Sequence, residues 1–163
     1  MAFSFSLLLG TVLCALVAGL LFSFAVVVMP GISHLGDREF IPAFQQIDGV
    51  IQRGQPLFGL VWIGSALALV AGLALGLGRL EGLEKALLVA ATGMYLLGVQ
   101  LPTIVVNIPL NNALQKVDGD SRDGLRWQSE RKAFEKRWVR WNVFRTWIAV
   151  LVTVMLVFLV SWV

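Results

Sequence analysis

Four long apolar runs, separated by charged segments, organise this chain. Met1 to Ser33 carries no Asp, Glu, Lys, Arg or His; Gly54 to Gly78 is 25 residues without charge, Ala86 to Gln115 is 30, and Thr146 to Val163 is 18. A helix of about 20 apolar residues crosses a hydrocarbon core of about 30 Å. Each run reaches that length, the last by starting inside the charged segment before it. The pattern predicts helices near 4–29, 56–78, 84–107 and 133–162 in a single transmembrane domain over 1–163. The fold class is all-α: an integral membrane, antiparallel four-helix bundle. The first run lacks a positive n-region and is too long for the apolar stretch of a signal peptide, so it is read as a retained span.

Small residues at helical spacing supply the contacts that hold such helices together in lipid. The second span carries Gly64, Ala68, Gly72 and Gly76. The first offers two rows, Gly10–Cys14–Ala18 and Ala15–Gly19–Ser23, and the third Ala86, Ala90 and Gly98. These glycines are read as packing positions, since the chain contains no GxGxxG or phosphate loop. Between the first two spans, Phe40, Phe44 and Ile47 share one helical face of an amphipathic connector. Segment 117–130 reads as a solvated loop, with a helix start at Ser129, Glu130 and Lys132.

Charge sets the orientation. The loops between spans 1 and 2 and spans 3 and 4, with their flanking turns, hold 11 of the 13 basic residues, and the loop between spans 2 and 3 holds Arg79 and Lys85. The positive-inside rule then puts both termini outside the cytoplasm, in what is expected to be a bacterial inner membrane. Composition agrees: 58% hydrophobic and 14% charged residues exclude a soluble enzyme or a disordered chain. The net charge of +3 lies beside apolar spans, so nucleic acid is not an expected partner. The expected partners are membrane lipid and a hydrophobic small molecule, with a homo-oligomer left open. One Cys and one His exclude a multi-Cys or multi-His metal site, or a bis-His haem, within one chain. No metal or cofactor is expected.

Polar residues gather at one end of the spans. Span 1 ends Met29-Pro30-Gly31-Ile32-Ser33-His34. Along span 3, Gln100, Thr103, Asn107 and Asn111 align on one face if the helix continues through Pro102 and Pro109. Along span 4, Glu135, Trp138, Asn142 and Arg145 do the same. Polar side chains in a membrane are costly and turn inward. Two polar faces and His34 therefore predict one pocket at the cytoplasmic ends of the helices, walled by Trp138, Trp141 and Phe144.

The chain resembles the anthrone oxygenase-like (DUF1772) family of four-span membrane proteins. Three features carry the resemblance: Met29-Pro30-Gly31, Asn107-Ile-Pro109-Leu-Asn111-Asn112, and Trp138-Val-Arg140-Trp141-Asn142-Val-Phe-Arg145. The resemblance implies a four-span fold. For a few fungal members it implies oxidation of polyketide anthrones to anthraquinones with molecular oxygen and no evident cofactor.

Three classes of function stay open. In the first, a cofactor-independent oxygenase acts on a hydrophobic aromatic, polyketide- or quinol-like substrate. His34 removes a proton as general base, Arg145 stabilises the resulting anion, and Gln100, Thr103, Asn107, Asn111, Trp138, Trp141 and Asn142 bind and orient the substrate. Each residue has a plainer reading. For His34 it is an interfacial loop histidine, and that reading outweighs the catalytic one. For Arg145 it is snorkelling to lipid phosphate. For the asparagines it is capping of backbone freed by proline, for Gln100 and Thr103 interhelical bonding, and for the tryptophans an interface belt. Glu135 reads as the partner of a basic neighbour. The second class is a non-catalytic protein that binds a lipid or a partner protein. The third, a transporter, lacks an acidic residue within a span to couple ions.

Overall fold

The computed structural model describes residues 1–117 and 124–162. Among them, four helices are long and apolar enough to cross a membrane: α1, Ala2–Ser33; α3, Pro56–Gly76; α4, Gly82–Gln115; and α5, Gly124–Trp162. Between the first two lies α2, Asp37–Gln52. Helix α1 packs against α3 and α5, and α4 against α5 and α3, which closes the four spans into a ring. The fold is the expected all-helical bundle.

The helices differ from the expected bounds where prolines and one tryptophan intervene. Helices α1 and α4 do not stop at 29 and 107 but continue to Ser33 and Gln115. A proline within a helix lacks a donor, and its ring presses on the carbonyl four residues earlier. Here the chain widens by one residue per turn just ahead of each such proline, over Phe24–Val28 before Pro30, Leu96–Gln100 before Pro102 and Thr103–Asn107 before Pro109. Met29 N–H then reaches Phe24 O, Leu101 N–H reaches Leu96 O, and Ile108 N–H reaches Thr103 O. The carbonyl facing each ring lies inside the wide turn, so the helix continues.

Helix α5 begins at Gly124, ahead of the expected bound near 133 and of the start signal at Ser129. Of the segment read as a solvated loop, 124–130 is helical and 118–123 lies outside the described residues. Trp127 explains the early start. It shares a face with Phe134 and Trp138, and all three are buried. They pack with Met29, Phe40, Ile41, Phe44 and Leu114 in a second core at one end of the bundle. At 39 residues, α5 is about 58 Å long, well beyond a bilayer core. Its overshoot and the ends of α1 and α4 carry α2, whose Phe40 and Phe44 meet Phe134 edge to face at centroid distances of 6.3 and 4.6 Å.

Arg131 ties this end together. It donates to the Ser33 and Leu35 carbonyls at 2.8 Å each, which are acceptors at and beyond the end of α1. It also pairs with Asp37 at 3.1 Å and with Glu135 at 2.7 Å, and its guanidinium lies 4.3 Å from the Phe40 ring centre. Glu135 thus has the basic neighbour expected of it.

The small-residue rows sort by face. Gly10, Gly64 and Gly72 sit in the α1–α3 seam, where an added Cβ would meet Leu69, Leu13 and Ser6 respectively. Ser6 donates across this seam to the Ala68 carbonyl at 2.9 Å. The second row of α1 does not pack inward: Ala15, Gly19 and Ser23 are exposed, as are Ala86 and Ala90 of α4. The inward face of α4 is Leu88, Ala91, Thr92, Tyr95 and Val99 instead. One face of each helix is already covered by a partner, so the second row stays on the outer surface of the bundle.

Candidate active site

A cavity of about 150 Å³ lies between the core of the spans and the core beneath α2. It is mostly apolar, with Leu20, Leu21, Phe24, Phe44, Ile51, Phe58, Trp62, Ile108 and Trp138 in its walls, and it carries six polar side chains: Asp48, Thr103, Asn107, Asn111, Asn142 and Arg145. An apolar hollow with a few convergent polar groups is the usual form of a small-molecule site.

Arg145 dominates the polar side. The side chain is only 4% exposed. Its Nη1 donates to Thr103 Oγ1 at 2.7 Å and its Nη2 to Asn142 Oδ1 at 3.1 Å. Thr103 passes its own proton to the Val99 carbonyl, and Asn142 donates to the Leu21 carbonyl of α1 at 3.0 Å. Both acceptors are thereby oriented toward the guanidinium. Its Nε–H has no partner, and among the described residues the only ion pairs are those of Arg131, so no carboxylate neutralises Arg145. An unpaired buried cation costs several kcal/mol. Asn107, 2% exposed, is similarly incomplete: its Nδ2 donates to the Trp138 carbonyl across a long 3.5 Å, and its Oδ1 has no partner. A free donor and a free acceptor therefore belong to side chains of the same cavity wall.

Asp48 is the acidic counterpart. It is 3% exposed on α2. Its Oδ1 accepts from Asn111 at 2.7 Å, and its Oδ2 accepts from Gln52 at 2.6 Å and Gln115 at 2.9 Å. Asn111 also accepts from Trp138 Nε1 at 2.7 Å. An indole only donates, so the Asn111 oxygen must face Trp138 and its NH₂ must face Asp48.

Six of the nine residues singled out from sequence thus line one cavity: Thr103, Asn107, Asn111, Trp138, Asn142 and Arg145. Three do not. His34 is exposed just past the end of α1. Because that helix runs on through Pro30, His34 sits ten residues, or about 15 Å along the axis, from Phe24 in the cavity wall. Gln100 lies behind the wall and donates to the Trp62 carbonyl at 3.3 Å. Trp141 is half-buried beside the cavity, edge-on to Phe144 at 5.6 Å. Asp48 is the residue that the sequence reading leaves out. Its signal lies in the spacing: Phe40, Phe44 and Asp48 recur every four residues, so a carboxylate sits on the apolar face of an amphipathic helix, where charge is rare unless it is used. Asn107 does not cap backbone freed by Pro109. The wide turn before that proline serves the backbone, and the side chain reaches α5 instead.

Among the described residues, no three His, Cys, Asp or Glu side chains come together in a group that could hold a metal ion.

The architecture is that of a multi-pass helical membrane protein with a mostly apolar cavity, carrying a few polar side chains, at one end of its bundle. The model of the anthrone oxygenase family matches residues 48–155, more than half of the chain and a range that includes every polar residue of the cavity. The chain belongs to the anthrone oxygenase family. Comparison with curated proteins and with solved structures gives no match.

Proposed function

We propose that this protein is a cofactor-independent oxygenase for a hydrophobic aromatic substrate, an anthrone-, polyketide- or quinol-like C–H or O–H acid, which reaches the cavity from the membrane. One observation carries the reading: among the described residues Arg145 is a buried cation without a counter-ion, held by two oriented acceptors, and its side chain lines an apolar cavity. The missing partner is an anionic oxygen, such as the one that forms when an aromatic ketone enolises or a phenol ionises.

Deprotonation breaks the substrate's C–H bond and leaves its electron pair in the enolate, whose oxygen Arg145 holds. The enolate reduces dioxygen by one electron, and the radical pair joins as a peroxide anion at the same carbon, which takes up the abstracted proton to become a hydroperoxide. Loss of the remaining C–H proton with departure of hydroxide from the peroxide gives the new carbonyl. In sum, one CH₂ and one O₂ become one C=O and one H₂O. The aromatic side chains of Trp62, Phe44 and Trp138 in the wall suit an aromatic ring, and Asn107 and Asn111 suit its hydroxyl groups. The distribution of basic residues supports an orientation in which the cavity end faces the cytoplasm.

Oxygen consumption by the purified protein in detergent, with 1,8-dihydroxyanthrone as substrate, tests this reading. Uptake of one O₂ per quinone formed, falling at least 100-fold in kcat/KM for Arg145→Gln, is expected. Uptake equal to that of protein-free micelles would refute it.

A further inference from the structure

Asp48 and Arg145 are opposite charges in the wall of one cavity, and each lacks an ionic partner. Asp48 is bonded only by neutral amides, and Arg145 only by a hydroxyl and an amide carbonyl. Buried charges ordinarily pair, and these two share a cavity without doing so. A molecule in this cavity can give up a proton to the carboxylate and carry its negative charge at the guanidinium.

We infer that Asp48 is the proton acceptor of this site, in the sense that the proposed oxygenase reading requires. The group must be a base that touches the substrate, and His34 lies outside the cavity. A carboxylate has about four acceptor positions. Asn111, Gln52 and Gln115 occupy three, and only Asn111 bonds Oδ1. One position on Oδ1 is therefore open in a residue that lines the cavity. The carboxylate is held in place as well. Trp138 fixes the Asn111 amide, and Asn111 fixes the carboxylate, so the base and the aromatic wall form one rigid unit.

In the step itself, the substrate C–H bond breaks and an O–H bond forms at Asp48 Oδ1. The electron pair stays on the substrate, and its oxygen charge is met by Arg145. On the other side of the carboxylate, Gln52 is exposed to solvent, so the proton has a short route to water. Later it can return to the peroxide anion. The substrate class is that of the proposed reading: a planar carbon acid whose conjugate base carries its charge on oxygen.

Proton abstraction is separable from oxygen chemistry. Under argon in D₂O, 1,8-dihydroxyanthrone should exchange its methylene protons at the wild-type protein, followed by NMR. Asp48→Asn should slow this exchange at least 100-fold, the scale of general-base catalysis. Probe binding, read from tryptophan quenching, should stay within about threefold. Asp48→Glu should keep exchange well above Asp48→Asn. Added formate should restore exchange to Asp48→Ala, a rescue that a purely structural role would not give. Exchange in Asp48→Asn within threefold of wild type overturns the inference, as does wild-type protein that does not accelerate exchange. Oxygen uptake is measured separately. Exchange without uptake sinks the oxygenase reading and leaves Asp48 as the base, and uptake without exchange does the reverse.

Discussion

At Arg145 the proposed function and stability pull apart. Its burial without a counter-ion among the described residues is unfavourable for the fold, and in the proposed reading a ligand anion completes the site. Arg145→Met removes the charge and keeps much of the apolar stem. The expected result is a thermal midpoint equal to or above wild type, together with loss of 1,8-dihydroxyanthrone binding. Scanning calorimetry and fluorescence titration of the same preparation check the two halves. A fall in midpoint of more than about 3 kcal/mol equivalent would show that the guanidinium is a structural anchor rather than an unsatisfied binding group. Arg145, Asn142, Asn107 and Thr103 were legible in the sequence because polar residues in apolar helices stand out, and helical spacing aligns them. Asp48 stood out less, since in the chain it is one of several charges in an amphipathic connector and only its spacing from Phe40 and Phe44 marks it. Its burial depends on α2 folding back beneath α5.

At the level of elements, wide turns and close glycine contacts decide where the helices run. Gly98 lies within one of the wide turns of α4, and a Cβ there would come 2.8 Å from Ile148 Cγ2 and 3.5 Å from its Cβ. Gly98→Val should destabilise the folded protein by about 1–3 kcal/mol through overpacking against α5. Gly19→Val, where nothing lies within 4 Å, should be close to neutral. Urea or thermal unfolding in detergent, with both variants side by side, tests this contrast. Equal losses would mean that helix propensity rather than packing governs these positions. Arg131→Met removes the donor of four hydrogen bonds and should cost about 1.5–3 kcal/mol. Lys in its place should recover little, because a point charge cannot reproduce the fork of contacts. The prediction fails if Lys restores the wild-type midpoint.

For the whole molecule, the overshoot of α1, α4 and α5 builds a second layer beneath which the cavity sits, and the sidedness of this layer is testable. Cys14 is the single cysteine and is fully buried, so Cys14→Ala gives a silent background. In intact cells, Glu81→Cys should react with a membrane-impermeant maleimide, and Gly36→Cys should react only after permeabilisation. The opposite labelling would invert the proposed orientation and place the cavity end outside. By itself, the sequence determined four spans, a polar face near one end of the third and of the fourth, and candidate packing rows, of which Gly10, Gly64 and Gly72 lie in the α1–α3 seam while Ala15, Gly19 and Ser23 stay exposed. Those follow from hydropathy, which acts locally, and from helical period, which places i, i+3 and i+4 together wherever a helix forms. The tertiary structure alone decided which end residues share a cavity. Three prolines did not end their helices, because each was preceded by a wide turn, and that carried His34 away from the site. Helix α2 docked on aromatic residues of α5 and turned Asp48 inward, a contact between positions some 90 residues apart in the chain that no local pattern encodes.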